Sequence, residues 1–155
     1  MRNVVNVMMV PRRATDGSAG YDFIATEDIK LRPWKTTYVD SGVVFDGTEK
    51  IITVLEKIGE DGSTWFEPCY LGHWVMQIHP RSSLGFKYGL RLKNTTGIID
   101  SDYRDTIKFP LTVSKPLTIK KGERFAQGIF VPFGVLADEV EPTKKREGGI
   151  GSTGQ

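Results

Sequence analysis

A carboxylate carried on the end of a buried strand, where the chain turns out toward solvent, is well placed to act as a base. One stretch has that pattern: Gly97-Ile98-Ile99-Asp100-Ser101-Asp102-Tyr103-Arg104. Ile98 and Ile99 read as the buried end of a strand, and the following Asp-Ser-Asp as the turn that closes it. Rigid backbone at the mouth of a sheet would hold Asp100 where it can take a proton from water. The plainer alternative, and the commoner one for turn aspartates, is that Asp100 or Asp102 hydrogen-bonds the backbone of its own turn.

Other groups with chemical potential are scattered along the chain. Arg81-Ser82-Ser83 sets a cation beside two hydroxyls in a loop bounded by Pro80 and Gly85, an arrangement suited to phosphate oxygens. Gln127 is a lone amide inside a strand-like run, and Gly148 to Gly154 is a strip of backbone amides and hydroxyls preceded by Lys145 and Arg146. Each has an ordinary explanation on its own: a turn, a satisfied strand amide, a frayed tail. His73 and His79 lack the spacing of a zinc helix, and a single cysteine, Cys69, supplies no structural zinc site. There is no Gly-x-x-x-x-Gly-Lys-Ser/Thr phosphate loop and no serine in a nucleophile elbow.

The elements that must position these groups read as strands. Asn3 to Val10 is β-prone and ends at Pro11-Arg12-Arg13, and the small-residue loop Thr15 to Gly20 leads into a strand over Tyr21 to Ala25. Two more strand-like runs lie between Ile29 and Phe45, split by Pro33-Trp34-Lys35. Lys50 to Ile58 partly fits a helical period, but Glu60-Asp61-Gly62 is a hairpin signal, so this run is expected to pair with Thr64 to Tyr70. Trp74 to Ile78 is a strand, and Thr106 to Val113 another whose Pro110 is expected to confine it to an edge or a bulge. The frequent Gly and Pro punctuation makes the whole pattern all-β.

With 155 residues, 39% of them hydrophobic and 26% charged, the composition fits one globular domain. A net charge of +2, from 21 basic and 19 acidic side chains, gives no field pointing to a nucleic-acid or membrane partner. The amino terminus lacks a long apolar core or a small-residue cleavage site, and no run approaches a membrane span. The expectation is a cytoplasmic protein, and one cysteine fits a reducing compartment.

Taken together, five segments resemble the motifs of the trimeric dUTP nucleotidohydrolases, or dUTPases, in that family's order. They are Ser18-Ala-Gly-Tyr-Asp22-Phe, Pro80-Arg-Ser-Ser-Leu-Gly85, Gly97-Ile-Ile-Asp-Ser-Asp-Tyr-Arg104, Gly122-Glu-Arg-Phe-Ala-Gln127 and Gly148-Gly-Ile-Gly-Ser-Thr-Gly154. The resemblance implies a jelly-roll-like β-barrel over residues 1–143, an inserted or extended hairpin at about 46–74 and a flexible substrate-capping tail over 144–155. It implies a homotrimer with shared active sites that hydrolyses dUTP to dUMP and pyrophosphate with Mg²⁺. That reaction keeps uracil out of DNA and supplies dUMP for dTMP synthesis.

Residue by residue, the resemblance makes Asp100 the general base and Tyr103 the ring beneath deoxyribose that leaves no room for a 2′-hydroxyl. Asn94 and the backbone of Gly97, Ile98 and Ile99 would read uracil. Arg81, Ser82, Ser83 and Gln127 would contact phosphate and water, and Lys108 would lie on the substrate side. Asp22 would reach the metal through water. Lys145 or Arg146 would meet the γ-phosphate, with Ile150, Gly151 and Ser152 closing over the substrate.

Three departures stand out. Ile150 replaces an aromatic that stacks on uracil, Lys145 sits where an arginine is expected, and Asp105 replaces a common glycine. The extra hairpin, rich in Trp65, Phe66 and Tyr70, is either barrel decoration or a surface for a protein partner. Two rival readings are a dCTP deaminase of the same fold, whose downstream catalytic glutamate is missing from Thr106 to Val113, and a non-catalytic nucleotide-binding regulator.

Overall fold

A computed structural model of the chain describes residues 11–44, 51–58, 64–72 and 74–134, the second and third of these as backbone strands. In chain order they form β1 (Arg12–Arg13), β2 (Tyr21–Ile24), β3 (Ile29–Leu31), β4 (Thr37–Val44), β5 (Ile51–Ile58), β6 (Thr64–Gly72) and β7 (Trp74–Pro80). Helix α1 (Ser82–Tyr88) follows, then β8 (Arg91–Leu92), β9 (Gly97–Ile99), β10 (Thr106–Thr112), β11 (Leu117–Ile119) and β12 (Arg124–Pro132). The all-β expectation holds. The expected first strand, Asn3 to Val10, and the tail lie outside the described residues.

The main sheet runs β1-β2-β12-β7-β9, and a second sheet runs β4-β10-β8. Smaller pairs join β11 to β3 and β5 to β6. Among the described residues these sheets are not closed by hydrogen bonds into one continuous barrel, as the jelly-roll-like reading would have it. The hairpin expected from Glu60-Asp61-Gly62 is present, with Ile58 opposite Thr64 and Ile51 opposite Gly72.

Alternating burial joins the two larger sheets. Ile107, Phe109 and Leu111 of β10 point inward, as do Phe23 of β2, Phe125 of β12, and Met76 and Ile78 of β7. Phe109 lies between Phe23 and Phe125 in two edge-to-face contacts, with centroids 5.0 and 5.1 Å apart. Such pairs add about 0.5–1.5 kcal/mol each to the burial of the rings. This aromatic stack fixes how the main sheet sits on β10, and so where the loops at their ends emerge.

Three local expectations are corrected. Ser82 to Gly85, read as a loop, opens helix α1, which ends at Gly89 in the left-handed conformation (φ 65°) with Gly89 N–H donating to the Gly85 carbonyl at 2.9 Å. Arg12 and Arg13, read as the stop after a strand, themselves form strand β1 beside β2. Pro110 sits in β10, the middle strand of its sheet rather than an edge. It is tolerated because β8 pairs only Leu92 with Leu111 and Arg91 with Thr112. Pro110 lies past that ladder, where only its carbonyl is used, accepting from Lys93 N–H at 2.8 Å.

Candidate active site

Across the main sheet, Arg12, Asp22, Gln127 and His79 are consecutive register partners, so their side chains leave the same face. That face is opposite the core, because Phe23 and Ala126, the next pair along, are buried. Strict alternation would put Arg124 and Gln127 on opposite faces. A register shift between Arg124 and Ala126 buries Phe125 and Ala126 in succession, and both polar residues reach one cleft.

The cleft holds ≈ 420 Å³. Its polar lining is Ser18, Asp22, Arg81, Ser82, Arg124 and Gln127. Arg81 is positioned by its own backbone, whose N–H donates to the Phe125 carbonyl at 3.0 Å just before α1 begins. Gly20 leaves room for Gln127, since a Cβ there would stand 2.6 Å from the Gln127 Oε1. Arg124 Nη1 donates to Asp22 Oδ2 at 2.9 Å. Nothing in the sequence singles out Arg124 within the fourth motif; only the bulge turns it toward Asp22.

The remaining predicted residues gather elsewhere. Asn94 is in the turn between β8 and β9, where Thr95 takes a positive φ of 64° and donates its N–H to the Leu92 carbonyl at 3.1 Å. Gly97 must be small, because a Cβ would overlap the Ile78 side chain. Ile98 is exposed and Ile99 buried. Asp100 follows as an exposed residue, in a turn closed by Tyr103 N–H donating to the Asp100 carbonyl at 3.0 Å. Tyr103 is 4% exposed, and its hydroxyl donates to the Thr106 carbonyl at 3.1 Å. Lys108 Nζ is held by Asp105 Oδ2 at 2.8 Å. Ser83 is in α1 but does not line the cleft. Lys145, Arg146, Ile150, Gly151 and Ser152 lie outside the described residues.

Asp100 and Arg81 stand at opposite ends of β7. Ile99 pairs with Met76, which sets Asp100 level with Val75, whereas Arg81 follows Pro80. Six residues of strand at ~3.3 Å each separate the two by roughly 20 Å. The base candidate and the phosphate cleft of one chain therefore lie at opposite ends of the strand rather than side by side.

As for a metal, no cluster of three or more His, Cys, Asp or Glu capable of holding one occurs among the described residues. The cleft offers one carboxylate, Asp22. A single carboxylate fits a hydrated Mg²⁺ carried on phosphate oxygens and touched through water, rather than a cage built by protein.

A β-scaffold that gathers two arginines, two hydroxyls, an amide and a carboxylate in one cleft has the chemistry to hold a phosphorylated small molecule. Comparison narrows the class. The dUTPase family model matches residues 69–154. The deoxyuridine 5'-triphosphate nucleotidohydrolase of Nautilia profundicola is 32% identical over 153 residues, covering 95% of this chain and 92% of the relative. That of Dinoroseobacter shibae is 36% identical over 152 residues, covering 94% and 88%. Among solved structures, a dUTPase from Streptococcus mutans aligns with a TM-score of 0.59 at 25% identity, covering 85% of this chain and 91% of that one. A dUTPase from phage phi11 of S. aureus shares the fold, with a TM-score of 0.60 at 17% identity over 92% and 95% of the two chains. The chain belongs to the dUTPase family.

Proposed function

We propose that the chain hydrolyses dUTP to dUMP and pyrophosphate in the cytoplasm, in a site shared between the subunits of a homotrimer. The observation that carries this reading is the cleft, where Asp22, Arg81, Ser82 and Gln127 converge from three motifs separated in sequence. Arg81 and Ser82 donate to phosphate oxygens, and Gln127 orients the attacking water. Asp100 accepts a proton from that water as its oxygen bonds to the α-phosphorus and the bond to the leaving pyrophosphate oxygen breaks. Asn94 and the Gly97 to Ile99 backbone read the uracil edge, and Tyr103 forms the floor beneath deoxyribose. Lys108 serves on the substrate side, and Lys145 or Arg146, with Ile150, Gly151 and Ser152, closes the site.

The roughly 20 Å between Asp100 and Arg81 along β7 supports the shared site, because a second chain must bring its own Asp100 to this cleft. Mg²⁺, held through water by Asp22, would supply charge neutralisation on the triphosphate. The phage phi11 neighbour coordinates a structural Mg(II) ion.

The test is release of pyrophosphate and dUMP from dUTP by the purified chain. Asp100→Asn is expected to keep its fold and lose ~10²- to 10⁴-fold in kcat. Ammonia released from dCTP, or binding of dUTP without turnover, would overturn the reading in favour of a deaminase or a nucleotide-binding regulator.

A further inference from the structure

Thr106 is bonded at every polar group it has. Its N–H donates to Asp105 Oδ1 at 2.7 Å, and its hydroxyl donates to Asp40 Oδ2 at 2.7 Å. Its carbonyl accepts the Tyr103 hydroxyl at 3.1 Å. The two carboxylates are themselves fixed. Asp105 Oδ2 takes Lys108 Nζ at 2.8 Å, and Asp40 Oδ1 takes the N–H of Gly42, whose φ is 67°. Asp40 lies on β4 and Thr106 on β10, so the chain of bonds ties the Tyr103 ring to two neighbouring strands.

We infer that Asp40 and Asp105, acting through Thr106, are positioning residues that hold the Tyr103 ring against the sugar and so set the discrimination between deoxyribose and ribose. The inference rests on the role proposed above for Tyr103 beneath the sugar. Excluding a hydroxyl by steric contact works only if the wall cannot yield. An apolar wall rejects a substrate that merely adds a hydroxyl by about 10²-fold, and a ring free to shift by a few tenths of an ångström loses that margin first. A phenol anchored at its oxygen cannot tilt away without breaking a hydrogen bond to a residue that is itself pinned on two sides.

The experiment compares kcat/KM for dUTP and for UTP in the full-length protein. Thr106→Val keeps the shape of the side chain but removes the bond to Asp40, and Asp40→Ala removes the same bond from the other strand. Both are expected to lower the dUTP-to-UTP ratio by about tenfold, whereas Thr106→Ser, which keeps the hydroxyl, retains the wild-type ratio. Asp105→Asn keeps an acceptor for the Thr106 N–H and falls between. Loss of fold alone lowers both substrates together and leaves the ratio unmoved. A ratio unchanged in Thr106→Val and Asp40→Ala, alongside one that collapses in Tyr103→Ala, would overturn the inference and leave the role of Tyr103 standing. A ratio unchanged in Tyr103→Ala as well would overturn both.

Discussion

Asp105 is one of the residues at which the chain departs from the motif it resembles, and its carboxyl has two partners that both favour ionisation. Lys108 donates to it and so does the Thr106 N–H, and these bonds hold its pKa below the usual carboxylate value of 3.8. Lys108 is raised above its ordinary 10.5 by the same contact. The signs fix the pH window. A lowered carboxylate contributes stability above 3.8 that is lost as pH falls through its still lower folded value, and a raised ammonium contributes below 10.5. The stability difference between wild type and Asp105→Asn should therefore be flat around neutral pH and shrink toward zero on acidification below about 4. Urea midpoints of the two proteins, measured at neutral and acid pH, check this. A difference that grows with acid would contradict the assignment. Since both groups are well exposed, the effect is small in size and is read from its direction. Residue types and their order are legible in the sequence itself. Asp22, Arg81, Ser82 and Gln127 all stand out there, and they share one cleft. Arg124 does not, because strand alternation places it away from Gln127, and a bulge leaves no mark in a period-two pattern. The Asp40–Thr106 bond is equally hidden, joining residues 66 positions apart.

At the scale of elements, the strands are legible because β-branched and aromatic residues alternate between frequent Gly and Pro. Helix α1 is not. It has seven residues, Gly85 in its middle and no buried face, so it carries neither propensity nor period, and its tertiary setting decides it. Bulges are the other hidden feature. Between Thr106 and Lys108 the register against β4 slips from Val44 to Asp40, leaving Ser41, Gly42 and Val43 opposite Ile107. The buried Ser41 hydroxyl restores what the ladder loses there, donating to the Ile107 carbonyl at 2.8 Å and accepting the Val43 N–H at 3.1 Å. Ser41→Ala strands a buried carbonyl and a part-buried N–H and is expected to destabilise the protein by about 1–3 kcal/mol. Thermal or urea unfolding would measure it, and a change within about 0.5 kcal/mol would show that water or a relaxed ladder satisfies the bulge instead.

At the scale of the whole molecule, the separation along β7 of the two groups proposed for catalysis decides how many chains a working site needs. Asp100 emerges at the Trp74 end of that strand and Arg81 at the Pro80 end. Neither loop can cross the intervening sheet, since β7 is paired along its length with β12. If one substrate meets both groups, they come from different copies, and two variants that are each inactive should then complement one another. Arg81→Ala chains carry a sound Asp100, and Asp100→Asn chains carry a sound cleft. When the two are unfolded together and refolded as an equal mixture, a site drawing Asp100 from one chain and Arg81 from a neighbour has both groups intact about one time in four. Turnover of dUTP should return to about a quarter of the wild-type rate, against nearly none for either variant refolded alone. A site completed within one chain would give no recovery at any mixing ratio. Mixing the folded variants without denaturation serves as the control, because recovery there requires subunits to exchange, and its rate reports how tightly the copies hold together.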